Sequence, residues 1–168
     1  MQINNLSAEK KEIILKDLWL LHDSRWFIKV IEECGFELAN KLNLKVNRSM
    51  GKTEMKRFIK EVNFREFDDP EKVKDLFNKA VELFLPKDHE YKFEVYDRNT
   101  ITGRVDKCII YPQLEKGGTA AIYECPGKQR CDGWLEACGI KGESFSNKTA
   151  QTCKGKCEIT FKLNHTLL

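Results

Sequence analysis

The sequence predicts an α+β fold, with N-terminal helices packed on an antiparallel sheet and a late helix between a strand pair and the closing strands. Two observations predict it. Apolar residues recur at helical spacing through residue 86 and then at alternating spacing from residue 91. The strand-like stretches also follow the helices as a block, which favours an antiparallel sheet over a parallel α/β arrangement. At 168 residues, the chain is read as one domain (1–168), with a helical part (1–86) and a strand-rich, cysteine-rich part (87–168).

The elements follow in order. Ser7 is an N-cap candidate, and Ile13, Ile14, Leu18 and Leu21 recur at helical spacing after it. Asp23 or Ser24 starts a second helix, with Phe27, Val30, Ile31, Cys34, Leu38 and Leu42 along one stripe. "NLKVNRSMGK" then reads as a turn, and a short helix runs from Thr53 to about Val62. In "DDPEKVKDLFNKAVELFLP", Asp69 is the N-cap, Pro70 opens the helix and Pro86 stops it. "YKFEVYD" alternates as a half-buried strand, "DRNTITGR" supplies a turn and "VDKCIIYP" is the second strand. "LEKGGTAA" is a loop, "PGKQRCDGWLEACGIKG" a helix ended by Gly139, "GESFSNKTAQT" weakly strand-like and "KCEITFKL" the last strand.

The net charge of +3 comes from 29 basic and 26 acidic residues interleaved along the chain, without the concentrated basic face of a nucleic-acid binder. No export signal or membrane span is legible, so a cytoplasmic protein without nucleic-acid or membrane partners is expected. A reducing compartment disfavours disulfides. The motifs of serine hydrolases, P-loop NTPases, zincins and dinucleotide binders are absent, and no catalytic residue set can be named. His22, His89 and His165 are scattered. His22, beside Asp23, could face a pocket, although a capping or surface role suits it better. Trp19, Trp26 and Trp134 are read as core residues.

Five of the seven cysteines fall in the last 44 residues: Cys125, Cys131, Cys138, Cys153 and Cys157. Cys34 and Cys108 read as small buried hydrophobes. A tetrahedral zinc site needs four thiolates within about 4 Å of one another. Gly155 lets Cys153 and Cys157 turn toward one point. Cys131 and Cys138 lie roughly 10 Å apart along a helix axis, too far to share one ion. The expected metal set is therefore Cys125, Cys131, Cys153 and Cys157, holding a structural zinc whose net charge Lys128, Arg130, Lys154 and Lys156 would offset. An iron–sulfur cluster is the alternative cofactor. Cys138, or a carboxylate such as Glu124 or Glu158, could replace one ligand.

The helix "CDGWLEACG" followed by "CKGKCEITFKL" resembles the small-molecule-binding domains of the 4-vinyl-reductase type, whose relatives include TRAPP-type transport subunits and haem nitric-oxide-binding domains. "WFIKVIEECGFELANKLN" is similar to prokaryotic proteins of the L-2-amino-thiazoline-4-carboxylate hydrolase type. The resemblance implies a sensor-like domain with a small apolar or aromatic ligand held between helices and sheet, a possible homodimer, and zinc near the cavity in some members. Cys131, Cys153 and Cys157 match that family's cysteine positions. Ala150 stands where some members carry Glu, and the Cys153–Cys157 spacing is shorter than in the sensors. The alternative functions are hydrolysis of a cyclic C–N bond, with a cysteine as nucleophile, and iron–sulfur or redox chemistry.

Overall fold

A computed structural model describes residues 6–164, so His165 lies outside the described residues. The elements are α1 (Ala8–Val62), α2 (Pro70–Phe84), β1 (Glu90–Asp97), β2 (Thr100–Lys107), α3 (Tyr111–Lys116), α4 (Gly127–Cys138), β3 (Gly142–Ser146), α5 (Ala150–Cys153) and β4 (Cys157–Leu163). The four strands form an antiparallel sheet in the order β1-β2-β4-β3, and the fold is α+β.

The first three expected helices are one element, α1, and its break lies elsewhere than the sequence suggested. Ser24 does not start a helix: its hydroxyl donates back to the Leu20 carbonyl at 2.5 Å, as serine does inside a helix. The stretch 43–52 is also helical. Asn47 Nδ2 donates to the Asn43 carbonyl (3.0 Å) and to Asn43 Oδ1 (2.8 Å), and Thr53 Oγ1 donates to the Ser49 carbonyl (3.0 Å). The turn-forming side chains thus bond along the helix, and tertiary packing overrides their local preference. The interruption falls at Gly35, with φ 78° and ψ 168°, a region that is essentially glycine's alone. It divides α1 into a first arm (8–34) and a second arm (36–62).

The two arms are buried very differently. Every buried residue of α1 lies on the second arm: Ala39, Asn40, Gly51, Glu54, Met55 and Ile59. That arm packs on α4 at the distance of backbone contact. A Cβ on Gly51 would collide with the Arg130 carbonyl, and one on Gly133 would collide with the Arg48 carbonyl and the Lys52 amide. Glu54, 4% exposed, joins the two helices. Its carboxylate accepts Arg130 Nε and an Nη at 2.7 Å each, and Trp134 Nε1 at 2.6 Å. A bidentate pair with a third donor satisfies a charge that would otherwise be costly to bury.

The core continues through α2 into the sheet. Asp69 caps α2 by accepting from the Glu71 and Lys72 amides, with Pro70 at the first turn. Val73, Leu76, Phe77, Ala80 and Val81 are its buried residues. The Phe77, Phe93, Trp134 and Phe161 rings meet at centroid separations of 5.1–6.4 Å, mostly edge-on or tilted as aromatic quadrupoles prefer. Asn78 exchanges two hydrogen bonds with the Phe93 backbone and so occupies part of the free edge of β1.

Several expectations need correction. Trp134 is core, but Trp19 and Trp26 are exposed, because the first arm packs on little. Cys34 is exposed for the same reason. The second strand ends at Lys107, five residues earlier than expected, and Cys108 lies beyond it, partly buried. Pro112 cannot donate to a sheet ladder and instead sits in the first turn of α3, which claims part of the expected loop. Helix α4 and strand β4 match the expected elements, and Cys138 is buried.

Candidate functional site

Three chain segments converge at the cysteine-rich end of the sheet. Cys157 opens β4 and pairs with Val105 of β2. Just past β2, the Cys108 amide donates to the Gly155 carbonyl at 3.1 Å, which places Cys108 against the turn between Cys153 and Cys157. That turn is possible because Lys154 (φ 45°) and Gly155 (φ 78°) both adopt the left-handed conformation. The third segment is the loop before α4, where the Cys125 sulfur lies beside Gly127. Charge on Cys108, Cys125 or Cys153 opposes ionisation of Cys157, so the four thiols share one electrostatic neighbourhood.

Of the sequence-predicted ligands, the structure brings Cys125, Cys153 and Cys157 into this region. Cys131 is 2% exposed, and its sulfur lies 3.3 Å from the hydroxyl of Tyr91, which also stands in the field of Cys157 and Cys125. Burial pushes the Cys131 and Cys157 thiols up to about 12, and raises those of Cys108 and Cys125, although Cys125 keeps an exposed edge. Such thiols are weak nucleophiles near neutral pH. All seven cysteines are free, and among the described residues no three His, Cys, Asp or Glu side chains already form a group that could hold a metal ion. Of the expected counter-charges, Arg130 is committed to Glu54 and Lys128 to Asp132. Glu124 and Glu158 are tied through their backbone amides to Asn40 and Asn147.

The loop that carries Cys125 also packs against the two arms of α1. Asn40 anchors it, donating to the Ile122 carbonyl (2.7 Å) and accepting from the Glu124 amide (3.2 Å). Tyr123, between those anchors, meets Phe27 of the first arm edge-on at 5.6 Å. Beside this contact the two arms of α1 enclose a narrow cleft of about 30 Å³, lined by Asp23, Trp26, Phe27 and Val30 on one side and Ala39, Leu42, Asn43 and Val46 on the other. Burial raises the Asp23 carboxyl above its usual range, partly offset by Arg130 and His22. It is thus Asp23 that lines the cleft, while His22 is exposed and stacks on Trp19. The sequence signal for the cleft was a carboxylate on an otherwise apolar stripe. Tyr123 gave no such signal, because the loop that positions it is held by tertiary hydrogen bonds.

A larger groove of about 330 Å³ lies between α4 and β3. Of its charged groups, Arg48 pairs with Glu136 and Lys128 with Asp132, whose carboxylate also accepts from the Ser144 hydroxyl. His89 is partly buried, its Nδ1 accepting the Ile109 amide at 3.4 Å, and desolvation, with Arg130 nearby, lowers it to about 4.

No family model matches the chain, and no curated protein matches it in sequence. Among solved structures, it is similar to subunit 3 of a trafficking protein particle complex from Naegleria fowleri, covalently bound to palmitic acid. The TM-score is 0.61 at 14% identity, covering 90% of this chain and 96% of that one. An H-NOX domain from Shewanella oneidensis matches with a TM-score of 0.49 at 15% identity, over 85% of this chain and 76% of that one. The first of these shows that the chain has a TRAPP-like fold. Among the described residues no helix is long and apolar enough to cross a membrane.

Proposed function

We propose that the protein is a small-molecule-binding domain that takes a small apolar or aromatic ligand between the two arms of α1. The observation that carries this reading is the hinge at Gly35 beneath a cleft walled mainly by apolar side chains, with one carboxyl, Asp23, at its edge. At about 30 Å³ the closed cleft has room for about one water. Entry of a ligand therefore requires the first arm to swing, which its lack of buried residues makes inexpensive. The Asp23 carboxyl would accept a hydrogen bond from the ligand and fix its orientation. The palmitic acid held by the Naegleria protein supports an apolar ligand for this fold.

The cysteine-rich end serves in this reading as a structural zinc clasp built on Cys125, Cys153 and Cys157. For the fourth ligand, geometry favours Cys108 over the sequence-expected Cys131, because the Cys108 backbone is bonded to the Cys153–Cys157 turn. Metal binding would draw the side chains together and deprotonate them, reversing the effect of burial on their acidity. Because Cys125 and Tyr123 share one loop, the clasp would also steady the contact of Tyr123 with Phe27 beside the cleft.

Ligand-observed NMR with a panel of phenols, aryl amines and short fatty acids tests the first part. Binding lost on Leu42→Trp, which fills the cleft, is expected. Binding unaffected by that change, or none by any panel member, would overturn it. Elemental analysis of anaerobically purified protein tests the second. One zinc per chain, lost on Cys157→Ser and on Cys108→Ser but kept on Cys131→Ser, is the expected pattern. A metal-free wild type would refute the clasp.

A further inference from the structure

We infer that the free edge of β3 is a docking site for an extended peptide, which joins the four-stranded sheet as an added strand and fills the groove beside α4. The two outer strands of the sheet are treated differently. Asn78 bonds to both backbone groups of Phe93 and closes part of the β1 edge. At the two ends of β3, the Lys141 carbonyl accepts from the Asn164 amide (2.8 Å) and the Asn147 amide donates to the Glu158 carbonyl (3.1 Å). The register between them is unshifted, so Glu143 and Phe145 also turn their backbone groups to β4. The amides and carbonyls of Gly142, Ser144 and Ser146 therefore point away from the sheet. Among the described residues no hydrogen bond reaches them. Such a row of unpaired groups is a template for another strand.

The side chains around that edge specify what the strand must carry. The Ser144 hydroxyl donates to Asp132 of α4, so Ser144 faces the helices, and alternation puts Gly142 and Ser146 on the same side. The groove of about 330 Å³ opens there, lined with apolar surface by Leu135 and Ile140. Its Arg48–Glu136 and Lys128–Asp132 pairs are already neutralised, so the side chain that enters it is apolar. A second copy would not supply one, because its own β3 turns only Gly142, Ser144 and Ser146 inward. On the opposite face lie Phe145, 47% exposed, and Glu143, whose carboxylate has no ion pair among the described residues. In an antiparallel pairing, as elsewhere in this sheet, the peptide residue opposite Ser144 points into the groove. The residue after it meets Glu143, and the one before it meets Phe145. The occupant is thus a strand reading aromatic, apolar, basic at those positions. Main-chain bonds give it affinity, and its alternate side chains give it specificity. This edge is separate from the cleft between the arms of α1, so the inference does not depend on the ligand proposed there.

Amide-resolved NMR titration of the full chain with the capped heptapeptide Thr-Val-Tyr-Val-Lys-Val-Thr tests this. Saturable shifts are expected at Ser144, at its β3 neighbours and at Ile140. Methylating the central valine nitrogen removes the proton that would bond to the Ser144 carbonyl, and binding should be lost. Glu143→Lys should weaken binding at least about tenfold, and exchanging the peptide lysine for glutamate should restore it. Ser144→Pro removes the outward donor without touching the bonds to β4, and should also weaken binding. The charge exchange alters only exposed groups, so it remains informative if the proline variant misfolds. No saturable shift, binding that survives N-methylation or Glu143→Lys, or a failed charge exchange would each overturn the inference. So would β3 shifts that grow with protein concentration alone, because a second copy would then hold the edge.

Discussion

The two arms of α1 are joined through a single glycine and have opposite fates. The second arm holds a buried carboxylate, two backbone-to-backbone approaches at Gly51 and Gly133, and part of the main core. The first arm has no buried residue, yet it is no less apolar in composition. The comparison teaches that apolar spacing predicts a helix with one dry face without saying what dries it. For the second arm that surface is α4 and the core. For the first, we assign part of it to the cleft.

The sharpest way to break the comparison is at Glu54. Replacing it with alanine leaves Arg130 and Trp134 without their shared acceptor, and a cost of about 3–5 kcal/mol is expected in urea titrations. A loss no larger than that of a surface change would mean that the second arm is held by packing alone. Next in size is His89, which stands in the field of Arg130. Its folded value of about 4 lies below the unfolded 6.5, so the unfolded state binds the proton first. Its contribution is therefore complete above pH 6.5 and lost as pH falls toward 4, by at most about 3 kcal/mol. Stability measured across that window should flatten in His89→Gln.

At the hinge, Gly35→Ala would place a Cβ at a φ of 78° and cost about 1–3 kcal/mol if the break persists. The weakly held first arm offers relief by straightening, so the expected outcome is a larger radius of gyration in small-angle scattering with little loss of stability. Unchanged dimensions together with a clear loss of stability would show the arm to be firmly docked. The smallest effect belongs to Leu15→Ser at an exposed flank position, expected within about 0.5 kcal/mol in thermal melts.

Much of the fold was legible in the sequence. Asp69 and Pro70 marked the start of α2, Gly139 the end of α4, and the alternation in "YKFEVYD" and "EITFKL" two of the strands. The breaks in α1 were not legible, because asparagine and serine can bond within a helix as readily as they can end one, and tertiary contacts decided between the two. The site was partly legible. Cysteine spacing pointed to Cys125, Cys153 and Cys157, but the sequence separation of Cys108 hid its place beside Gly155, which only the β2–β4 pairing creates. The contact of the Cys131 sulfur with the Tyr91 hydroxyl was likewise not legible, since it depends on how α4 is oriented on the sheet.

The glycine pair that lets α1 and α4 touch has a consequence for how signals could travel. Helices in backbone contact have no intervening side chains to absorb a displacement by changing rotamer. A shift of the second arm on ligand entry would be handed whole to α4, and from its first turn to the loop bearing Cys125. The domain would then act as a stiff lever, with compliance concentrated at Gly35 and motion delivered at the cysteine-rich end.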